Sequence, residues 1–463
     1  MRRFVNEDGT GFTASGDESV AQFEDVVTAN FGLRDDIGVK LKTLLEADPD
    51  MIMANCAGGY FAKTFGGARM AERALKVSAR VDALIEQYDA TDREKLHAAA
   101  LRNWSAGRLE ATAANWEEIL LDHPLDGLAI RLSHFAHFYS GDGRRMRDSI
   151  ARILPNWDRS HRNYGFVLGC YAFGLEESRE YDLAEKFGRE ATEINPEDAW
   201  SVHSVAHVME MQGRHAEGIE WVDDLEQHWA KVGNFRFHLF WHRCLYHFER
   251  AEFDSALGLY DRQVSSDIGS GFYLDIVNAA SLLWRLEMAD VDVGDRWEGL
   301  AEIARGHLED TDLIFVTLHY LMVMASVGDE AAQDTMLRHI REWSNNETDQ
   351  AGVCRTAGLA IAEAICEIRH GDFTKAAHRL AGIRYAMNSI GGSAAQRDVF
   401  EMLMFDAAAK GEETAFSRAL LSDRVAARPN SVWGWRKLSN VCRRSGLEDR
   451  ALQADAKVAS LRE

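Results

Sequence analysis

One phrase returns along the chain and restricts its fold more than any other feature. An aromatic residue or a leucine opens a helix, and a small alanine follows three or four positions later. It occurs at Tyr181 with Ala184, Phe253 with Ala256, Phe373 with Ala376, and Leu447 with Ala451. An alanine there lets a partner helix approach closely, and a helix pair of this size cannot bury its apolar face without stacking on neighbours. The chain has only five prolines in 463 residues and a dense scatter of Ala, Leu, Glu and Arg. Helix is therefore favoured over sheet, which needs β-branched runs punctuated by Gly and Pro.

The recurring pattern resembles the second helix of tetratricopeptide repeats, whose period is about 34 residues. Pro196, five residues after Ala191, stands where such repeats end that helix, and Trp435, Leu438, Gly446 and Ala451 fit a final repeat. Some intervals exceed the period, such as Gly269 to Gly328, so several pairs are expected to be non-standard. The expected class is all-α, an α-solenoid of tetratricopeptide-like helical hairpins with a concave groove or channel, built from roughly ten or more pairs. Residues 1–16, polar and rich in Gly, are expected as a flexible N-terminal arm. Residues 17–90 follow as an N-terminal helical region and 91–463 as the repeat solenoid, with a weak division near Asp89 to Asp92.

Four phrases are more specific: residues 202–210, Phe240-Trp241-His242-Arg243 followed by Leu245 and Tyr246, Tyr260-Asp261, and residues 391–400. Together they resemble the tetratricopeptide repeat protein 38 family from about Leu96 to the C-terminus. That resemblance implies a helical-repeat fold and carries no established activity with it.

A hydrophobic content of 46% with 27% charged residues is globular, and the formal charge is −22. Binding to phosphate polymers rests mainly on a positive surface that releases counterions, so nucleic acid is not expected as a partner. Cys56, Cys170, Cys244, Cys354, Cys366 and Cys442 include no Cys-x-x-Cys pair, which fits reduced thiols of a cytoplasmic protein. The start carries charge without a following apolar run of leader length, and no stretch is apolar for the length of a membrane span. The expected partners are a small molecule or peptide, or another protein, with a homodimer as the generic oligomer and no membrane.

The candidate chemistry lies in histidines. Counted from Ala184 and Pro196, a repeat begins near Ala199 and puts His203, His207 and Glu210 at its fifth, ninth and twelfth positions. Spacings of four and three stack them on one helix face. The repeat anchored on Phe253, Ala256 and Tyr260 begins at Phe237 and puts His238 and His242 at its second and sixth positions. By resemblance to repeats of this kind these positions face the groove, so two neighbouring helices would present four imidazoles and a carboxylate. A register counted back from Gly328 puts His319 at the sixth position of a later repeat. His134 and His137 are expected to pack against Phe135 and Phe138.

Three chemistries fit. His203, His207 and His242 could hold Zn²⁺ and leave a position for water, although His-Glu-x-x-His is absent and no acidic residue is clearly placed behind the ligands. A histidine near neutrality paired with Glu210 could move protons, which makes His203, His207 and Glu210 the catalytic candidates of a hydrolase-like enzyme. In the favoured reading, His203, His207, Glu210, His238, Trp241 and His242, with Tyr246 nearby, bind a small molecule or peptide without chemistry. In a pure protein-interaction scaffold the histidines would be packing residues.

Other motifs have plainer expectations. Residues 391–395 faintly resemble a nucleophile elbow, but Ser393-x-x-Gln396 matches a helix-capping box better. Arg144, Arg145 and Arg147 form a basic patch that is most simply solvated charge. Gly58-Gly59 and Gly66-Gly67 lack the ending of a phosphate loop. Trp116, Trp221, Trp229 and Trp435 are expected as core fillers.

Overall fold

The structure, a computed structural model, describes residues 1–65 and 68–462. Gly66-Gly67 lies outside the described residues, and Gly58 and Gly59 sit within the helix Ile52–Phe65, not in a loop. The chain divides into two compact units. The first comprises Met1–Val205, Leu225–Arg236 and Glu347–Gln350, and the second Ala206–Asp224, Phe237–Asn346 and Ala351–Glu463. The division therefore falls elsewhere than near Asp89 to Asp92.

Apart from two short strands, the regular structure of the described residues is helical, and the body of the chain is an all-α array of helical hairpins. In the first unit Asp92–Ser105 pairs with Leu109–Asp122, Gly127–Tyr139 leads into Gly143–Ile153, and Tyr164–Glu177 pairs with Tyr181–Ile194. The small residues sit where the pattern requires them. Ala184, Ala191, Ala256, Ala376 and Ala451 are completely buried, and the helix before Pro196 ends at Ile194. The turns inside the pairs share a left-handed residue: Gly371 at φ +87°, Gly446 at +70°, and Arg179 and Ala251 at +65° and +58°. The turn geometry thus persists where its usual glycine is replaced. The long interval in the second unit is entered through a π-turn over Tyr260–Val264 and a 3₁₀ segment over Ile268–Ser270.

The N-terminal residues are not a loose arm. Arg2–Val5 (β1) and Gly11–Ala14 (β2) form an antiparallel hairpin with Arg2 opposite Ala14. Its turn is closed by Asn6, whose Oδ1 accepts from the amides of Asp8 and Thr10, and Gly9 takes φ +78°. Phe12 is buried against Phe23 with ring centroids 5.5 Å apart. Thr13 donates to Glu94 through its amide at 2.7 Å and its hydroxyl at 2.8 Å. Glu94 is also the third residue of the capping box begun by Thr91, so one carboxylate starts a helix and holds a strand.

No helix of the described residues is long and apolar enough to cross a membrane. The six cysteines are buried and free of disulfides. Trp116 and Trp229 fill core, whereas Trp221 and Trp435 are only partly buried. Arg145 pairs with Glu110 at 2.6 Å, and Arg147 with Asp148 at 2.7 Å and with Glu180. Local carboxylates therefore neutralise much of the basic patch. Ser393 and Gln396 make both halves of the capping box on Ala394–Lys410.

Candidate functional site

Three helices bring three of the expected histidines together in the second unit. Ala199–Gln212 carries His207 and Glu210, Phe235–Glu249 carries His238, Trp241 and His242, and Tyr273–Met288 stands behind them. The His207 and His242 rings lie 4.5 Å apart and those of His238 and His242 4.8 Å apart, centroid to centroid. Nitrogens that His207, His238 and His242 can each offer fall within 4.8 Å of one another. All three side chains and Trp241 are at most 2% exposed. An open groove floor is therefore not what the second unit presents at these residues: the inner faces of adjacent helices meet and close over them.

The remaining ring atoms are tied down. Nδ1 of His238 donates to Oδ1 of Asn278 at 2.8 Å, and Nδ1 of His242 donates to Oε2 of Glu210 at 3.0 Å. With Nδ1 so engaged, the nitrogen each ring can offer to an ion is Nε2. Burial holds His238 and His242 well below the ordinary imidazole range, so both rings are neutral. Glu210 stands behind His242 as an orienting partner and not beside it as a ligand, and it supplies the acidic partner that the sequence reading did not find.

Around the imidazoles lies a charged network that the sequence reading missed. Asp398 takes both Nη atoms of Arg424, and Arg428 approaches Asp398 at 3.5 Å and Glu210 at 4.0 Å. Arg285 donates to the carbonyls of Ser281 at 3.1 Å and Ala395 at 2.8 Å, and burial lowers it to about 10. Glu249 accepts from Ser431 at 3.2 Å, and burial raises both it and Glu210. Three guanidinium groups thus stand among three carboxylates. Trp241 stacks on His238 with centroids 5.0 Å apart and donates to the Ser281 hydroxyl at 3.1 Å. A sequence signal for this shell exists: Asp275, Asn278, Ser281 and Arg285, spaced by three and four, form a polar stripe on the mostly apolar Tyr273–Met288.

The other expected residues go elsewhere. His203, one turn before His207 on the same helix, belongs to the first unit, where its ring packs 5.1 Å from those of Phe173, Trp200 and Phe235. Tyr246 donates to the Ala206 carbonyl at 2.7 Å. His319 is buried, donates through Nδ1 to the Phe315 carbonyl at 2.7 Å, and meets Phe400 edge-on. In the first unit, His137 contacts Glu117 at 3.1 Å, and the His134 ring lies among those of Phe135, Phe173 and Trp200.

The helix pairs define the class: the chain is a tetratricopeptide-like helical-repeat protein. No family model matches it. Among solved structures it is similar to a human IFIT1 dimer with PPP-AAAA, at 12% identity over 99% of this chain and 95% of that one, with a TM-score of 0.42. It is also similar to the P58(IPK) TPR domain, at 12% identity over 81% of this chain and 94% of that one, with a TM-score of 0.22. The exclusion of nucleic acid drawn above from net charge does not hold. Net charge sums over the whole molecule, and a helical-repeat protein can be acidic overall while gathering cations locally.

Proposed function

We propose that this is a ligand-binding helical-repeat protein whose second unit holds a divalent transition-metal ion, zinc by donor type, on His207, His238 and His242. One observation carries the proposal: two neighbouring imidazoles have Nδ1 anchored, one by an amide oxygen and one by a carboxylate. Metal-binding histidines are oriented in this way, and neutral imidazole suits zinc. The near-complete burial of the second unit's histidines favours a held ion over a hydrolase-like centre, which must admit substrate to its metal. It also favours an ion over a peptide at these side chains.

Kinship with the tetratricopeptide repeat protein 38 family fits the same residues. His207, Glu210, Trp241, His242, Gln396 and Asp398 all lie in the phrases that carry the resemblance.

Elemental analysis of the purified full chain tests the metal reading. About one equivalent of zinc is expected, lost in a His238→Ala/His242→Ala double variant that keeps its helical circular dichroism. A folded wild-type protein that is metal-free and takes up no added Zn²⁺ refutes it.

A further inference from the structure

A second site, independent of the imidazole cluster, lies in the first unit around Arg131. Its side chain is completely buried. The guanidinium lies against two rings that meet edge-on, with Cζ 4.4 Å from the centroid of Phe135 and 4.6 Å from that of Trp200. One of its nitrogens, Nη1, reaches Cys170 Sγ at 3.4 Å. Nε and Nη2 have no hydrogen-bond acceptor, and no carboxylate lies within 4.0 Å of the guanidinium, among the described residues. Nε and Nη2 share one edge of the guanidinium, the edge that takes the two oxygens of a carboxylate side-on.

Two further groups beside Trp200 are in the same condition. His134, one turn along the helix from Arg131, is completely buried, and neither ring nitrogen has a partner among the described residues. Its ring lies edge-on to Trp200 with centroids 5.6 Å apart. The indole Nε1 of Trp200, a residue 4% exposed, is likewise unpartnered. Asp198 feels the charge of Arg131 at a distance, but its oxygens are committed locally, accepting from the Ser201 hydroxyl and from the Trp200 amide at 3.0 Å.

A buried guanidinium that cannot lose its proton is costly without an anion. A guanidinium edge, an indole N–H and a neutral imidazole, with no carboxylate hydrogen-bonded to any of them among the described residues, make a site that lacks a directly bound negative partner. We propose that Arg131, His134 and Trp200 form a buried binding site for a small organic monocarboxylate, its oxygens on the Nε/Nη2 edge of Arg131 and its apolar part against Phe135 and Trp200. The charge selects a monoanion. Burial keeps His134 neutral, so the site offers one positive charge, and a phosphate dianion would bring excess charge and a larger dehydration cost.

The test is calorimetric titration of the full chain with acetate and benzoate, which bracket the size of the ligand, against acetamide and benzamide as neutral isosteres and inorganic phosphate as the dianion. Saturable binding of at least one carboxylate at one per chain is expected, with none of its amide or of phosphate. Arg131→Met should weaken it by about tenfold or more, the loss of a charge-assisted pair. Trp200→Phe, which keeps an aromatic ring but removes Nε1 together with part of the indole surface, should weaken it several-fold and serves if Arg131→Met does not fold. No saturable carboxylate binding, equal binding of the amide, binding of phosphate instead, or affinity unchanged in the folded variants each overturns the assignment.

Discussion

Glu210→Gln separates a metal site from a polar core most directly. In the wild type Oε2 accepts from His242 Nδ1 at 3.0 Å while Oε1 lies 4.0 Å from Arg428. Glutamine keeps the shape, and its amide oxygen still accepts from Nδ1, so the ring keeps its place while losing the carboxylate that raises its basicity. Removal of such a partner typically costs a factor of about 10–100 in metal affinity, or roughly 1.4–2.7 kcal/mol. The fold should be nearly indifferent. Arg428 is 18% exposed and retains Asp398 at 3.5 Å, and the substitution removes a carboxylate whose burial is itself unfavourable. Competition with a chromophoric zinc chelator gives the affinity, and urea unfolding of metal-free protein gives the stability. Weakened zinc binding with stability within about 1 kcal/mol of wild type is expected. Zinc affinity equal to wild type in a folded Glu210→Gln protein refutes the assigned role of Glu210.

Three other outcomes follow from the same geometry. Arg424→Met leaves Asp398 buried with Arg428 at 3.5 Å and the more distant Arg285 and should cost about 3 kcal/mol in urea unfolding, while Asp398→Asn/Arg424→Met should recover part of that loss. Burial pushes His319 down to about 3, so below roughly pH 6.5 the unfolded chain takes up a proton that the native ring refuses, and stability present above that pH falls as acid is added. His319→Phe should therefore flatten the acid dependence by about 2 kcal/mol between pH 6.5 and 5, measured as the difference from wild type across a pH series. In Gly218→Ala the new Cβ would stand 2.5 Å from Cζ of Tyr246, whose hydroxyl is fixed on Ala206, so a loss of about 1–3 kcal/mol is expected by thermal or urea unfolding.

The local pattern alone carried the helical-repeat class. Each small alanine is a requirement for close helix approach that sequence states directly, and Ala184, Ala256, Ala376 and Ala451 are all fully buried. The grouping of His207, His238 and His242 was also legible, because repeat register converts spacing along two helices into adjacency between them. The N-terminal hairpin was not legible: its strands are four residues each, and what holds β2 is Glu94, about 80 positions away. Tertiary structure alone decided that Glu210 orients His242, that Asn278 does the same for His238, and that Arg285, Arg424 and Asp398 surround them. Arg285 meets Ala395 across 110 positions, and no spacing rule within one repeat specifies which polar groups pair. Burial decided the chemistry as well. The same imidazoles facing water would titrate near neutrality, and closed between helices they stay neutral, which is the form that binds a metal ion.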